Sequence, residues 1–510
     1  MFVRVRSMGL FGLNAFPVDA EIDASKGMPS FDIVGLPDAV VKESRERVRA
    51  ALGSCGGALP TARVTVNLAP ADTKKSGSVH DLAILAAVLA VSGAVPEPGE
   101  EAAFIGELSL GGDVRPVRGV LSMALRAREA GIRALFVPRE NAGEASVAEG
   151  LTVYGVGSAS ELLLHLTGER ELTPQGAYLS APEENAEFLD FADVRGQQAA
   201  KRALEIAAAG GHNALLIGPP GAGKSMLAKR LPSILPPMSF EEAVETTQVH
   251  SVAGAIRADR PLLTARPFRA PHHTISPAGL AGGGSVPRPG EISMAHGGVL
   301  FLDELPEFMR PALEILRQPM EDNRVTISRA SGTVSYPCSV MLIAAMNPCP
   351  CGYFGHPARA CVCTPKQVGN YLAKVSGPLL DRLDLHIEVA PVEFDHLDSD
   401  GKEESSAAIR VRVQAAREFQ RKRYEGTGIT CNARLTTGLL HEMCPMTDGA
   451  RALLKGAFER MGLSGRAYDR ILKVARTIAD LDGADKLDKR HIAQAVQFRS
   501  LDRKYWEARS

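Results

Sequence analysis

The first third of the chain alternates between strand-like and helix-like patterns of apolar and polar residues. Short runs rich in β-branched residues, such as 63–68 and 134–137, alternate with helical stretches such as 122–130. This alternation predicts an α/β domain over residues 1–167. The longest apolar run, 82–91, is too short to span a bilayer and predicts a buried helix.

A second pattern begins after residues 168–189, which hold glycines and prolines among charges and predict a linker. A helix is expected at about 197–209. Apolar runs then recur at 214–217, 299–302, 340–344 and 385–389, with helical stretches between them. Residues 190–395 are therefore expected to form a parallel sheet covered by helices. After the polar run 396–406 the chain is largely helical, which predicts a helical lid over 396–510.

Composition narrows the class of protein. A chain of 510 residues is too long for one hydrophobic core and should divide into roughly two to four domains. Its 45% hydrophobic and 23% charged residues are ordinary for a soluble globular protein, and the net charge of -1 requires any nucleic-acid surface to be local. The first 19 residues mix Arg4, Arg6 and Asp19 with apolar residues, unlike a signal peptide. We expect a cytoplasmic protein with no membrane partner.

A phosphate-binding loop follows the apolar run 214–217. The residues Gly218, Pro219, Pro220, Gly221, Ala222, Gly223, Lys224 and Ser225 fit the Walker A pattern, and a helix is expected to begin near Met226. The glycines let backbone N–H groups converge on phosphate oxygens, Lys224 neutralises the β and γ charges, and the Ser225 hydroxyl can hold Mg²⁺. The loop predicts binding of ATP with Mg²⁺.

Two carboxylates, Asp303 and Glu304, come directly after the apolar run 299–302. The first can organise Mg²⁺ together with Ser225, and the second can polarise an attacking water molecule. Acidic residues after an apolar strand are common, so this Walker B assignment depends on the P-loop in the same domain.

Five further segments carry a family resemblance. They are DFADVRGQ at 190–197, PFRAPHHTIS at 267–276, PGEIS at 289–293, NPCPCG at 347–352 and SGPLLDRLD at 376–384. From about residue 190 onward the chain resembles the magnesium-chelatase-related branch of the AAA+ ATPases. Nearly the whole chain resembles the ComM/YifB family within it.

The resemblance implies three more catalytic residues. Asn347 looks like the sensor that orients the hydrolytic water, Arg382 like the arginine finger that reaches a neighbouring subunit's γ-phosphate, and Arg466 like the second sensor on the lid. An arginine supplied across an interface couples hydrolysis to assembly. A homo-oligomeric ring is implied, usually a hexamer in this family. The alternative for either arginine is an ordinary surface charge, and Arg470 lies one helical turn from Arg466.

A cysteine-rich loop spans residues 349–363. Cys349, Cys351, Cys361 and Cys363 could close a tetrahedral Zn²⁺ site as two pairs of thiolates. One residue separates the members of each pair, fewer than in most structural zinc sites. The alternatives are reduced packing cysteines or a redox disulfide. In any of these cases we expect a structural role between the sensor and the arginine finger, where the loop could shape a subunit interface.

Two basic stretches lie where the resembled clade carries insertions that point into the pore of the ring. One precedes the glycine-rich run 282–285, and the other, 324–336, predicts a β-hairpin with a glycine turn. The candidate contacts to DNA phosphates are Arg266, Arg269, His272, His273, Arg324 and Arg329. The alternative is solvated loops with scattered charges. The basic helix expected at 409–424 could track a phosphate backbone or be a solvated face.

The N-terminal domain resembles the Lon protease catalytic fold, of the ribosomal S5 domain 2 type. The segments at 104–110, 114–119 and 130–141 carry this likeness. A Ser–Lys protease needs a serine beside a lysine that accepts its proton. The serine position falls on Val79, with Ser76 and Ser78 nearby, and the lysine position falls near Leu121. We therefore expect a proteolytically inactive module used for assembly or for handling DNA.

Several functions fit these motifs. The leading hypothesis, from the family resemblance, is an ATP-driven DNA motor that migrates branched DNA during natural transformation. The alternatives are a metal-chelatase motor, which as a family lacks the Lon-like front domain and works with partner subunits, and a remodelling factor of unknown substrate. An ATP-dependent protease or unfoldase is disfavoured by the missing dyad.

Overall fold

The computed structural model describes residues 1–178, 189–284, 287–329, 332–391 and 403–507. Parts of the expected linker and of the polar run before the lid, 179–188 and 392–402, lie outside these residues. Within the described ranges, no helix has the length and apolar character needed to cross a membrane.

A seven-stranded mixed sheet occupies the N-terminal region in the order β3-β4-β2-β1-β5-β8-β9. The strands of this region are β1 (Phe2–Phe11), β2 (Asn14–Ser25), β3 (Ser30–Val34), β4 (Arg63–Ala69), β5 (Ala102–Phe104), β6 (Glu107–Leu108), β7 (Val114–Arg115), β8 (Ala134–Pro138) and β9 (Thr152–Val156). The first two form a long antiparallel ribbon that turns at residues 12–13. Beyond β1, strands β5, β8 and β9 add in parallel.

Helices cover this sheet. They are α1 (Ala39–Ser54), α2 (Asp81–Val91), α3 (Val120–Glu129), α4 (Ala142–Ala145) and α5 (Ala159–Leu166). Every residue of α2 is buried, which explains its uninterrupted apolar sequence and confirms the predicted buried helix.

A second, five-stranded sheet follows in the order β11-β14-β17-β10-β18, with every pair parallel. The strands of this region are β10 (Ala214–Ile217), β11 (Phe268–Arg269), β12 (Gly282–Gly283), β13 (Arg288–Pro289), β14 (Val299–Leu302), β15 (Arg324–Arg329), β16 (Gly332–Pro337), β17 (Met341–Met346) and β18 (Leu385–Glu388). All residues of β10, β14 and β17 are buried. A parallel sheet covered on both faces requires such continuous apolar runs, as the sequence predicts.

Short helices surround this sheet. They are α6 (Gln198–Gly210), α7 (Lys224–Arg230), α8 (Phe240–Ala253), α9 (Pro277–Ala281), α10 (Glu291–Met294), α11 (Arg310–Ile315), α12 (Arg317–Asp322), α13 (Pro365–Leu372) and α14 (Gly377–Leu380). Strands β15 and β16 form the predicted hairpin. Gly282 and Gly283, from the glycine-rich run 282–285, pair with β13 in a second hairpin, and Ser285 lies outside the described residues.

The C-terminal region is helical. Its helices are α15 (Ser406–Arg423), α16 (Thr437–Met443), α17 (Asp448–Met461), α18 (Gly465–Leu481), α19 (Lys489–Gln497) and α20 (Ser500–Asp502), followed by a π-helical turn at Arg503–Glu507. The first of these packs on α6, where Arg417 and Gln420 donate hydrogen bonds to the carbonyls of Ala208 and Ala209. These bonds satisfy the C-terminal carbonyls of α6 and fix the helical region to the sheet domain.

The N-terminal region packs on the sheet domain at two places. Glu144 in α4 is buried and accepts hydrogen bonds from the Leu121 N–H at 2.9 Å and from the hydroxyl of Ser251 in α8. The second contact is the turn of the β1–β2 ribbon, which packs against the β15–β16 hairpin. A Cβ on Gly12 would lie 2.3 Å from Val334 Cγ1, so the turn of the ribbon touches β16 without room for a side chain.

Candidate functional site

The P-loop connects β10 to α7. The helix begins at Lys224, two residues before the expected start, and both Gly221 and Gly223 have positive φ. Lys224 is 8% exposed, and its Nζ donates to the carbonyls of Gly218 at 2.7 Å and Pro219 at 2.9 Å. The ammonium group is thus held over the loop on which phosphates would lie.

The two carboxylates meet this loop from the end of β14, which β17 separates from β10 in the sheet. Asp303 and Glu304 follow β14, and Asp303 Oδ2 accepts a hydrogen bond from the Ser225 hydroxyl at 2.5 Å. The other oxygen of Asp303 accepts from the Glu304 N–H at 2.9 Å. A hydroxyl and a carboxylate side by side supply the hard oxygen ligands that Mg²⁺ prefers.

Asn347 completes the same site. It follows β17, which lies between β10 and β14, and its Oδ1 accepts a hydrogen bond from Lys224 Nζ at 3.0 Å. A cleft of about 370 Å³ opens here. Its lining residues are Pro220, Gly221, Ala222, Gly223, Lys224, Ser225, Met226, Asp303, Glu304, Met346 and Asn347. Residues from three parts of the chain therefore converge on one cleft at the carboxyl ends of parallel strands.

Burial changes the pKa of the lysine in this site. Desolvation lowers the pKa of Lys224, and the Asp303 carboxylate opposes that shift. The ammonium has one carboxylate nearby, while its other close partners are neutral carbonyls and an amide. A polyphosphate would add the negative charge that favours the protonated amine.

His273 contacts the second carboxylate. Its Nδ1 lies 3.3 Å from Glu304 Oε2, and its ring packs 4.1 Å from that of His272. Sequence reasoning assigned both histidines to DNA and missed this contact. The missing information was β11, a two-residue strand beside β14 that brings the segment after Arg269 to the same edge of the sheet.

Neither predicted arginine is among the described residues that line the cleft. Arg382 is 11% exposed; its Nη1 donates to the Pro378 carbonyl at 2.6 Å, and its Nη2 pairs with Glu321. Arg466 is exposed at the second position of α18. Their roles toward a neighbouring subunit or the nucleotide stay predictions.

The neighbour of Arg466, Arg470, faces inward. It lies 3.6 Å from Asp384, whose other oxygen lies 3.2 Å from His212 Nδ1. Although desolvation opposes the shift, His212 and Arg470 lower the pKa of Asp384 to about 2. The pair ties the helical region to the segment that carries Arg382.

The candidate DNA contacts fall into two groups. Arg266 is largely covered and donates to the carbonyls of Pro236 and Gly297 and to Glu242, while Arg269 forms a bidentate pair with Glu291. Both guanidinium groups are engaged within the fold. Arg324 and Arg329 are exposed at the two ends of β15, and their DNA assignment stays a prediction.

The basic helix expected at 409–424 is α15, which begins three residues earlier and ends at Arg423. Arg412 pairs with Glu205 at 2.6 Å, Arg417 bonds to α6, and Arg423 pairs with Asp480 at 2.5 Å. Two of its six basic side chains therefore pack the helical region against the sheet domain, and Arg423 is paired within the helical region.

The four cysteines of the cysteine-rich loop come together. Their sulfurs all lie within 4.8 Å of one another, with three Sγ–Sγ distances of 3.4, 3.6 and 3.7 Å, and all are free thiols. Burial raises the pKa of Cys349. Against desolvation, the backbone N–H groups of Tyr353 and Val362 lower the pKa of Cys351 to about 6. This cluster can hold a metal ion, because it offers four thiol ligands to one point.

Three family models match the chain. "Magnesium chelatase, subunit ChlI" matches residues 190–397, "Subunit ChlI of Mg-chelatase" matches 20–141, and "Magnesium chelatase, subunit ChlI C-terminal" matches 403–499. The second match falls in the N-terminal region, which chelatase motors are expected to lack. The presence of this region therefore does not distinguish a DNA motor from a metal-chelatase motor.

Full-length relatives decide the family. The chain is 43% identical to the uncharacterised protein YifB of Salmonella typhimurium over 98% of this chain and 97% of that protein. It is 42% identical to the competence protein ComM of Haemophilus influenzae over the same shares. The chain belongs to the YifB/ComM family. It is thus a magnesium-chelatase-like AAA+ protein, as the sequence resemblance indicated.

A partial likeness extends to proteases. Lon protease 2 of Bacillus subtilis is 29% identical over 167 residues, which are 30% of this chain and 29% of that protein. Val79 and Leu121, expected from the sequence at or near the positions of a Ser–Lys dyad, are both buried. The Ser78 hydroxyl donates a hydrogen bond to the Glu107 carboxylate.

Proposed function

We propose that this protein is an ATP-hydrolysing motor that forms a ring and acts on DNA, in the manner of a branch-migration helicase. The observation that supports it best is the convergence of Lys224, Ser225, Asp303 and Asn347 on one cleft. The Haemophilus influenzae relative is a competence protein, which supports DNA as the substrate.

Each residue of the cleft would have one task in hydrolysis. Lys224 would neutralise charge on the β and γ phosphates, while Ser225 and Asp303 would hold Mg²⁺. Glu304 would accept a proton from the attacking water, and His273, 3.3 Å away, would fix the direction of that carboxylate. Asn347 would orient the water through its amide.

We propose the domain division expected from the sequence. Residues 1–167 would be a proteolytically inactive Lon-like module, 168–189 a linker, 190–395 the AAA+ core and 396–510 the lid. The ring, for which we propose six subunits, would place Arg382 of one subunit at the nucleotide of the next, so that hydrolysis requires assembly.

DNA contact is proposed for the β15–β16 hairpin. Arg324 and Arg329 are exposed on it, and a guanidinium group pairs well with a phosphate. Arg266 and Arg269, whose guanidinium groups are paired within the fold, would instead stabilise the sheet domain.

Zinc is the metal proposed for the cysteine cluster. Zinc bonded to four sulfurs at about 2.3 Å places the sulfurs about 3.8 Å apart. The distances among Cys349, Cys351 and Cys361, 3.4 to 3.7 Å, are close to this, and Cys363 Sγ lies within 4.8 Å of the other three. Four soft thiolates also favour zinc over Mg²⁺.

The test is ATP hydrolysis by the purified protein with and without forked DNA. We expect DNA to stimulate hydrolysis, high salt to weaken the stimulation, and Lys224→Ala to abolish hydrolysis. The DNA motor would be refuted if the rate of ATP hydrolysis changed with neither DNA nor salt and the protein bound neither single-stranded nor branched DNA. The chelatase-type alternative, favoured by the family-model descriptions, predicts that outcome.

A further inference from the structure

The cysteine-rich loop touches the P-loop directly. Gly352, inside this loop, has a φ of +83°, and a Cβ added to it would lie 2.4 Å from Pro220 Cδ and 3.1 Å from Pro220 Cγ. Real Cβ atoms do not approach other atoms so closely. The backbone of the cysteine-rich loop therefore rests against the turn that would hold the phosphates.

The same loop also begins at the cleft. Asn347 lines the cleft and bonds to Lys224, and Cys349, two residues later, is fully buried. A Cys349 Sγ accepts a hydrogen bond from the Phe354 N–H at 3.3 Å, which folds the chain back over Gly352. One short segment thus carries a cleft residue, two of the four sulfurs and the contact with Pro220.

The sulfurs link the two ends of this segment, because Cys361 Sγ lies 3.7 Å from Cys349 Sγ and 3.6 Å from Cys351 Sγ. Between Cys349 and Cys363 the chain forms turns and bends without a helix or strand. Its outer part is exposed, including Val362 at 84%. A metal ion would join residues 349–351 to residues 361–363 and so hold the two ends of the loop together.

We propose that metal held by the four cysteines braces the nucleotide site, so that metal occupancy sets the affinity for ATP. The brace acts through Gly352 on Pro220 and through the chain from Cys349 to Asn347. This inference rests on the proposed ATP site and on metal binding by the cluster. It assigns the cysteine-rich loop a regulatory function beyond stability, because loss of metal or oxidation of the thiols would weaken ATP binding.

Two glycine variants separate the brace from general damage to the loop. Gly352→Ala keeps all four sulfurs but forces the loop off Pro220. Gly355→Ala is the matched control, because Gly355 has a similar φ of +75° while its nearest atom, Lys504 Cε, is 3.9 Å away. We expect Gly352→Ala to raise the Kd for a fluorescent ADP analogue about tenfold, equal to ~1.4 kcal/mol. Metal content should stay at the wild-type level, and Gly355→Ala should bind within about twofold of wild type.

Metal removal tests the other half of the proposal. Cys361→Ser in the full-length protein, and wild type treated with a zinc chelator, should lose zinc by elemental analysis and bind the analogue more weakly. Added zinc should restore binding to the chelated wild type, which shows that the protein has not simply unfolded.

Two results would overturn the proposal. One is chelated wild type that has lost its metal and still binds the analogue with unchanged Kd. The other is a Gly352→Ala protein that binds no more weakly than Gly355→Ala. If the wild type binds the analogue normally but DNA does not stimulate its ATP hydrolysis, the proposed DNA motor is refuted. The comparison of Gly352→Ala with Gly355→Ala remains valid in that case.

Discussion

Replacing Asp384 with asparagine should loosen the helical region from the sheet domain. Asp384 is 11% exposed and lies between His212 at 3.2 Å and Arg470 at 3.6 Å. These partners lower its pKa from 3.8 to about 2, which corresponds to about 2 kcal/mol of stability. Because the folded-state pKa is depressed, this stability is present above pH 3.8 and is lost as the pH falls through about 2.

The variant also leaves Arg470 without its partner carboxylate in a buried position. Breaking a buried pair by removing one member costs about 3 to 5 kcal/mol, while asparagine can still accept the hydrogen bond from the Asn213 N–H. We expect Asp384→Asn to lower the free energy of unfolding by about 2 to 4 kcal/mol at pH 7.

The one tryptophan of the chain reports on this region. Trp506 donates to the Leu372 carbonyl, and its ring lies 6.3 Å from that of His386, two residues beyond Asp384. Urea unfolding followed by tryptophan fluorescence therefore measures the loss. The matched control is Asp381→Asn, whose carboxylate is 39% exposed and 4.0 Å from Arg499, and which should change stability by less than about 1 kcal/mol. Equal midpoints for the two variants would refute the reasoning.

Three further outcomes are expected from the proposed motor. His273→Ala should lower kcat for ATP hydrolysis about tenfold with an unchanged Kd, because Glu304 loses its partner. The control His272→Ala should leave kcat unchanged, and equal rates for both variants would show that the contact between His273 and Glu304 is irrelevant to hydrolysis. Arg329→Ala should weaken DNA binding for all sequences and lower the slope of log K against log salt by about 1, and an unchanged slope would remove Arg329 from the interface. Arg382→Ala should lower ATPase activity about 10³-fold. Mixing it with Lys224→Ala subunits should restore part of the activity, since each supplies what the other lacks, and no recovery would show that Arg382 does not act between subunits.

The sheet domain could be predicted from the sequence because its strands are buried on both faces. Continuous apolar runs such as Val299–Leu302 and Ala214–Ile217 leave no alternation to misinterpret. The Walker residues follow those runs directly, so the order of motifs along the chain gave the composition of the cleft.

What could not be predicted depends on contacts between distant segments. Strand β11 has only two residues, too few for a periodic pattern, and without it His273 had no reason to be placed beside Glu304. Arg266 was expected at DNA because a charge pattern does not show that Pro236 and Gly297 carbonyls surround it. The contact of Gly352 with Pro220 joins two loops more than 130 residues apart.

The contact between the turn of the β1–β2 ribbon and strand β16 has a mechanical consequence. The β1–β2 ribbon is paired along its whole length of ten residues, about 33 Å, and it is part of the seven-stranded sheet. A stiff ribbon whose end touches Val334 works as a lever arm. If the β15–β16 hairpin moves, it must therefore either move the entire N-terminal sheet with it or slide past Gly12. A distance probe on the far edge of that sheet would record which of the two occurs.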